Sequence, residues 1–273
     1  FIRDEVMPLY ANTHSESSAT GLQTTRFRED ARRAILEAVN GDAGDVVIFS
    51  GSGATGAINK LIEILNLRLP ADLDARYGLA AVIPPRERPV VFIGPYEHHS
   101  NEIPWRETIA DVVVIDEDRD GRIDEAHLVR ELEAYRGRPL KIGSFSAASN
   151  VTGIVSDTRS ISVALHRHGA LAFWDFAAAA PYVTIEMNPH GPDPDPGAAE
   201  DAIFISPHKF VGGPGTPGVL VVKRALVTNR VPTVPGGGTV SYVSASGHSY
   251  LRSSELREEG RHLARRTAGG SRT

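Results

Sequence analysis

Short runs of consecutive apolar residues alternate with longer amphipathic stretches along most of the chain. Uninterrupted apolar runs are typical of strands that are buried on both faces of a parallel sheet. We predict strands at residues 46–49, 90–93, 111–115, 140–145, 170–174, 202–205 and 218–222. Helical patterns occupy residues 57–65, 102–109, 124–135 and 158–168, between successive strands. This alternation predicts an α/β fold, with a mostly parallel sheet flanked by helices.

A further helix is predicted before the first strand. Thr24 and Thr25 are suitable N-caps for it, and Gly41 offers a left-handed end. The predicted inward face comprises Phe27, Ala31, Ile35 and Ala38. The charged residues at positions 28–32, including Arg28 and Arg32, are expected on the solvated surface.

Composition narrows the class of protein. The chain has 273 residues, 41% hydrophobic content and a net charge of −5, enough for one sizeable core without a basic nucleic-acid or membrane surface. No apolar run approaches the roughly 20 residues of a membrane span, and residues 1–5 do not resemble a signal peptide. A cytoplasmic protein that binds neither nucleic acid nor membrane is therefore expected. Cysteine is absent, which excludes disulfides, thiolate metal sites and a cysteine nucleophile within these residues.

The segment Gly51–Gly56 connects a predicted strand to a predicted helix. Free amides and the positive end of the helix dipole meet at such a turn, so the segment is a candidate anion site. The segment also matches G-x-G-x-x-G, which leaves a nucleotide-binding module as an alternative function. Asp72 and Asp74 have the spacing of a ribose-binding acid but follow no strand, and Ala57 stands where a P-loop requires lysine.

Lys209 lies in a Gly- and Pro-rich connection between two predicted buried strands. Partial shielding from water is expected there, and desolvation favours the free amine that a Schiff-base lysine needs. An ordinary solvated lysine is the alternative on position alone. Asp175 ends another strand, on the side where parallel sheets bind ligands.

The adjacent pair His98 and His99 invites a zinc interpretation. Adjacent side chains diverge, however, and no further ligand stands at a suitable spacing, so no metal site is predicted. Helix capping is the expected role of His99.

Five segments in order carry a family resemblance: GSGATGAIN at 51–59, PYEHHSNEIPW at 95–105, SFSAASNVTG at 144–153, FWDFAAAA at 173–180 and SPHKF at 206–210. Together they resemble the large domain of pyridoxal-phosphate enzymes of aminotransferase class V, especially cysteine desulfurases and isopenicillin-epimerase-like proteins. The resemblance extends from about Tyr10 to Gly260. It implies the fold type I architecture, an amino-acid substrate and a homodimer with active sites at the subunit interface.

The resemblance also implies a role for individual residues. Lys209 would form the Schiff base, Asp175 would pair with the pyridine nitrogen, and His98 would stack on the ring; these three are the expected catalytic residues. Asn150 would contact the phenolic oxygen. The positions matching the phosphate-binding residues are Ala54, Thr55, Ser206 and His208. Ala178 departs from the family pattern, which has glutamine or histidine there, so Asn150 is expected to contact the phenolic oxygen alone.

Four regions are predicted along the chain. Residues 1–45 form an N-terminal segment and helix, residues 46–224 the cofactor-binding large domain, and residues 225–260 a partial connection toward a small domain. Residues 261–273 are rich in arginine and are expected to be disordered. A C-terminal small domain is absent from the pattern, so the chain is expected to be an incomplete enzyme. Transamination, desulfuration, epimerisation and elimination all remain open.

Overall fold

A computed structural model of the chain describes residues 2–13, 17–191 and 194–259. The predicted disordered tail at 261–273 lies outside these residues. The strands are β1 Asp45–Ser50, β2 Val90–Ile93, β3 Asp111–Val114, β4 Lys141–Ser146, β5 Leu171–Asp175, β6 Ala202–Ile205, β7 Gly218–Lys223, β8 Val240–Ser244 and β9 Gly247–Tyr250. The α-helices are α1 Ala19–Ala38, α2 Gly53–Ile64, α3 Ala71–Tyr77, α4 Ile103–Arg106, α5 Glu125–Ala134, α6 Thr158–Arg167 and α7 Ser254–Glu259.

Short turns of other helix types complete the described elements. A π-helical turn spans Ile2–Val6. The 3₁₀ turns are Met7–Leu9, Ala80–Val82, Pro85–Glu87, His99–Asn101, Pro196–Ala198, Pro207–Lys209 and Arg224–Leu226.

Seven of the described strands form one sheet in the order β1-β7-β6-β5-β4-β2-β3, and β8 and β9 form a separate hairpin. Strand β7 is antiparallel to both of its neighbours, whereas the pairs from β6 to β3 are parallel. The mostly parallel sheet predicted from the apolar runs is therefore confirmed. Strands β1, β2, β4 and β6 are buried along their whole length, as expected for strands covered on both faces.

Helices cover the sheet on both faces and create two cores. Helices α2 and α4 contribute Ile58, Leu61 and Trp105 to one core. Helices α5 and α6 contribute Leu128 and Leu165 to the other. The sheet thus separates two hydrophobic layers, which is the architecture expected for an α/β domain.

The start of β7 lies unusually close to the start of α2. A Cβ atom on Gly218 would stand 1.9 Å from the carbonyl oxygen of Gly53, so only glycine fits this position. Gly218 also lies opposite Ser50 in the β1–β7 register. The close approach places the connection from β6 to β7 beside the N-terminus of α2.

The topology removes the structural basis for a dinucleotide-binding motif at Gly51–Gly56. That motif requires two adjacent parallel strands joined through the helix. Here β1 pairs with β7 alone among the described strands, and β2 lies at the far side of the sheet. The glycine turn is instead part of an edge strand's connection to α2.

Helix α1 begins earlier than the threonines suggest. Its N-cap is Ser18, whose hydroxyl accepts a hydrogen bond from the Gly21 amide. The predicted caps Thr24 and Thr25 lie inside the helix, where their hydroxyls donate to the carbonyls of Thr20 and Gly21. A threonine can satisfy its hydroxyl within a helix in this way, so the capping prediction was wrong.

The predicted inward face of α1 was also wrong in part. Phe27 is 49% exposed, while Arg32 is only 4% exposed. Arg32 forms ion pairs with Glu259 and, at 3.3 Å between Nε and Oε1, with Glu255. Arg28 donates from Nε to Glu259 at 2.7 Å. A pattern of polar residues cannot reveal such burial, because the charge partners on α7 lie more than 200 positions away.

The same charges cover the free edge of β1. The Val47 amide donates to Glu255, and the Val47 carbonyl accepts from Arg32. An edge strand otherwise presents unpaired backbone groups that can recruit another chain. Helix α7 and helix α1 therefore close this side of the sheet through side chains.

The segment predicted as a helix at 102–109 forms only the single turn α4, preceded by a 3₁₀ turn. Thr108 ends it by donating its hydroxyl to the Trp105 carbonyl. No helix within the described ranges is both long and apolar enough to cross a membrane.

Replacing Arg32 with methionine should destabilise the fold. The change leaves the fully buried Glu259 side chain short of one cationic partner. Removing one partner of a buried pair costs about 3–5 kcal/mol, so the free energy of unfolding measured in urea should fall by that amount. Arg33→Met on the same helix is the matched control, because Arg33 and its partner Asp30 are 68% and 62% exposed. A similar loss in both variants would contradict the importance of the buried cluster.

Candidate active site

The carboxyl ends of β1, β2, β4, β5 and β6 meet at one edge of the sheet, together with the start of β7. A cavity of about 310 Å³ opens there, which is within the size range of ligand pockets. All of the site residues predicted from sequence line it, namely Ala54, Thr55, His98, Asn150, Asp175, Ser206, His208 and Lys209. Two further lining residues, Ser52 and Gly53, belong to the glycine turn predicted as a candidate anion site. The other lining residues are Ser100, Ser146, Ala148, Ala177 and Ala178.

One end of the cavity contains the N-terminus of α2. Gly53 begins α2 with φ +59°, and a Cβ atom there would lie 2.5 Å from the His208 ring. The N-cap residue Ser52 places no side-chain hydrogen bond over the first turn of α2. Ser206 accepts a hydrogen bond from the Ala54 amide at 2.8 Å, which joins the lysine turn to the helix. Backbone amides and the helix dipole here favour negative charge.

Lys209 ends the 3₁₀ turn Pro207–Lys209, directly after β6 and Ser206. The two flanking strands are buried, as predicted. The lysine itself is exposed, so the partial shielding expected from the sequence is not observed. The reason is that the turn projects beyond the sheet edge, where the open cavity leaves the side chain in contact with solvent.

Asp175 is the last residue of β5 and is 5% exposed. Its carboxylate accepts a hydrogen bond from the Ala177 amide at 2.8 Å. Burial raises the pKa of Asp175 to about 6, although that hydrogen bond and the charge of Lys209 act in the opposite direction. A buried carboxyl in this condition gains stability from a cationic partner.

His98 and His99 differ in their surroundings. The His98 ring lines the cavity and caps the 3₁₀ turn His99–Asn101, because its Nδ1 accepts from the Ser100 amide. The capping role expected for His99 therefore belongs to His98. No group of three or more histidine, cysteine or acidic side chains suited to a metal ion occurs within residues 2–13, 17–191 and 194–259.

Glu97 lies behind the cavity wall and was not identified from the sequence. It accepts hydrogen bonds from the Ser146 amide at 2.8 Å, the Ser146 hydroxyl at 2.7 Å and the Asn101 side chain at 2.7 Å. Burial raises the pKa of Glu97 to about 7, and the negative charge of Asp175 adds to the shift, although the bonds from Asn101 and Ser146 lower it. A glutamate directly before a predicted site histidine, after an apolar strand, was the available signal.

This buried network continues to the neighbouring helix. Asn101 donates to the Ser144 carbonyl and accepts from the Ser144 hydroxyl and the Trp105 indole. Ser146 lies opposite Asp175 in the β4–β5 register. The loop that carries His98 is thereby fixed to the same strand ends that carry Asp175.

Asn150 lies in the turn after β4 and is exposed at the cavity mouth. Ala178 contributes only a methyl group to the wall. The side-chain donor that the family pattern places at position 178 is therefore absent, which leaves Asn150 as the amide side chain on this side of the cavity.

Comparisons with known proteins agree with this architecture. The family model of aminotransferase class V matches residues 2–262. A probable cysteine desulfurase of Halalkalibacterium halodurans is 29% identical over 237 residues, covering 85% of this chain and 51% of the relative. A probable cysteine desulfurase of Methanothermobacter thermautotrophicus is 26% identical over 241 residues, covering 87% and 52%. The chain thus spans about half the length of these relatives.

Solved structures share the fold. The apo cysteine desulfurase of Thermococcus onnurineus superposes with a TM-score of 0.73 at 19% identity, covering 96% of this chain and 59% of that one. A cysteine desulfurase of Escherichia coli gives a TM-score of 0.63 at 23% identity, with coverage of 93% and 60%. The predicted fold type I architecture is confirmed by these neighbours.

Glu97 should make stability depend on pH. Its pKa is raised from about 4.5 to about 7, so its stabilising contribution is present below the lower value and is lost as pH rises through the upper one. Between pH 5 and 7.5 the free energy of unfolding of the wild type, measured in urea, should fall by about 1–3 kcal/mol relative to that of Glu97→Gln. Glu102→Gln is the control, because Glu102 lies on the same loop in a partly exposed pair with Arg106. Identical pH profiles for wild type and Glu97→Gln would contradict the assignment.

Proposed function

Because the chain belongs to the aminotransferase class-V family, we propose that it is the cofactor-binding part of an enzyme that uses pyridoxal phosphate to transform an amino acid. The observation that carries the proposal is that an amine, a buried carboxylate and a helix N-terminus line one cavity. The relatives named as probable cysteine desulfurases support an amino-acid substrate.

The cavity fits this cofactor by its chemistry. A molecule with a phosphate, an aldehyde and a basic ring nitrogen needs an anion site, an amine and a carboxylate, and the cavity offers a helix N-terminus, Lys209 and Asp175. When bound, pyridoxal phosphate supplies an electron-withdrawing ring that stabilises negative charge developing on the substrate. The protein's own residues would hold and orient the cofactor and would move protons at the reacting atoms.

Ala54, Thr55, Ser206 and His208 would hold the phosphate. They surround the N-terminus of α2, where the helix dipole and the first-turn amides favour an anion. Since Gly53 has no Cβ atom, His208 and Ser206 can pack directly against the helix start. The proposed anion site would therefore combine residues from two chain segments.

Asp175 would keep a proton on the ring nitrogen. Burial disfavours the charged form of Asp175. A protonated ring nitrogen beside it would stabilise that charge, and the carboxylate would in turn keep the nitrogen protonated. His98 would cover the ring, and Asn150 would donate a hydrogen bond to the phenolic oxygen. These roles come from the positions of the residues in the family motifs, and their shared cavity supports them.

Lys209 would hold the cofactor covalently through its Nζ atom. The same atom, when free, would be the base that moves the proton at the substrate's α-carbon. Its position on the 3₁₀ turn between β6 and β7 places Lys209 in the lining of the cavity.

A cysteine desulfurase-like reaction is the second candidate, favoured by the names of the relatives. These 273 residues contain no cysteine, so a sulfur-accepting thiol would have to come from outside them.

We also propose a homodimer. Val151 and Tyr182, beside the cavity, are 86% and 83% exposed, and large exposed apolar side chains commonly mark an interface.

Lys209 should be the residue labelled when the chain is incubated with pyridoxal phosphate and then reduced with borohydride. Reduction fixes the imine, and peptide mass mapping locates the added group. The chain has only three other lysines, at positions 60, 141 and 223, which serve as internal controls. Labelling at Lys223 or Lys141 in place of Lys209 would refute the assignment.

Asp175→Asn should slow exchange of an amino acid's α-proton with solvent deuterium by about 100-fold or more, because the ring nitrogen loses its ionic partner. The affinity for the cofactor should fall by much less, since the phosphate site is untouched. Exchange is measured by mass spectrometry on the chain supplied with pyridoxal phosphate. Asp30→Asn is the control, on an exposed side chain of α1. Equal exchange rates in wild type and Asp175→Asn would overturn the role of Asp175.

A further inference from the structure

The His98 ring is held on one side by Ser100. The Ser100 amide nitrogen lies 3.1 Å from His98 Nδ1, and the Ser100 hydroxyl oxygen lies 3.0 Å from the same atom. A backbone amide can only donate a hydrogen bond. His98 Nδ1 must therefore accept, which means that it carries no proton.

Thr55 reinforces this arrangement from the start of α2. Its hydroxyl donates to the Ser100 hydroxyl oxygen at 2.7 Å. That donation leaves the Ser100 hydroxyl proton available to His98 Nδ1, so both donors of Ser100 converge on one ring nitrogen. The chain of bonds links the candidate phosphate site to the candidate ring-stacking histidine, and all three side chains line the cavity.

We propose that Ser100, supported by Thr55, is a positioning residue that fixes His98 as a hydrogen-bond donor through Nε2. With Nδ1 occupied as an acceptor, the proton of the neutral ring resides on Nε2. Moving it to Nδ1 would break the bonds from both Ser100 donors.

The consequence for the reaction rests on the proposed function. At a cofactor site, His98 would donate from Nε2 toward an oxygen of the bound molecules, and Nδ1 would take no part in proton transfer. Ser100 touches only His98 and Thr55 in this network, so it acts through His98.

The tautomer can be measured directly. The full chain is labelled with ¹⁵N-histidine and studied without added cofactor by two-bond proton–nitrogen correlation, with the His98 signals identified by their loss in His98→Gln. The Nε2–H form of His98 should predominate. Ser100→Ala should lower the ratio of the Nε2–H form to the Nδ1–H form by about two- to tenfold, which is the effect of losing one neutral hydrogen bond. Ser100→Thr should restore the ratio.

His99 is the internal control, because it lies next to His98 and has no bond to the Ser100 hydroxyl among the described residues. A wild-type His98 that is protonated on Nδ1, or an unchanged ratio in Ser100→Ala, would overturn the proposal. Thr55→Val should shift the ratio in the same direction, and it replaces Ser100→Ala if circular dichroism shows that variant to be unfolded. Failure to bind pyridoxal phosphate would contradict the proposed function alone, because the tautomer is measured without it.

Discussion

The common direction of the parallel strands is the constraint on which the candidate site depends. Because β2, β4, β5 and β6 run the same way, their carboxyl ends meet at one edge and their next residues face a shared space. The reversed strand β7 completes this edge with its start instead of its end. A short connection from β6 to β7 can therefore remain at the edge, and Lys209 lies on it.

Buried carboxylates are stabilised in three different ways around this framework. Glu259 is neutralised by arginines from α1, and Glu97 is surrounded by neutral donors from β4 and its own loop. Asp175 has one backbone donor and the more distant charge of Lys209. The first arrangement holds elements together and the second orients a loop. The third leaves a buried acidic group with little compensation from its neighbours, which is the electrostatic condition expected of a binding site.

The strands and the candidate site could be predicted from the sequence because both depend on local signals. An apolar run followed by a polar residue identifies a strand end, and this rule predicted Asp175 at the end of a strand, where β5 does end. Asn150, in the turn after β4, was selected through the family resemblance instead. The rule also applied to Ser146, which the sequence alone gave no chemical reason to select. Arg32 could not be placed, since its burial depends on Glu259 far along the chain. The exposure of Lys209 was likewise invisible, because apolar neighbours in sequence do not determine how far a turn projects.

The pairing of the edge strand has a consequence for the order of events during translation. Strand β1 leaves the ribosome early, but its one partner among the described strands, β7, begins at Gly218. The side chains that cover its other edge lie later still, in α7. Until those residues are made, β1 lacks the strand and the side chains that flank it in the folded chain. An apolar strand that waits for such distant partners is exposed to aggregation during synthesis.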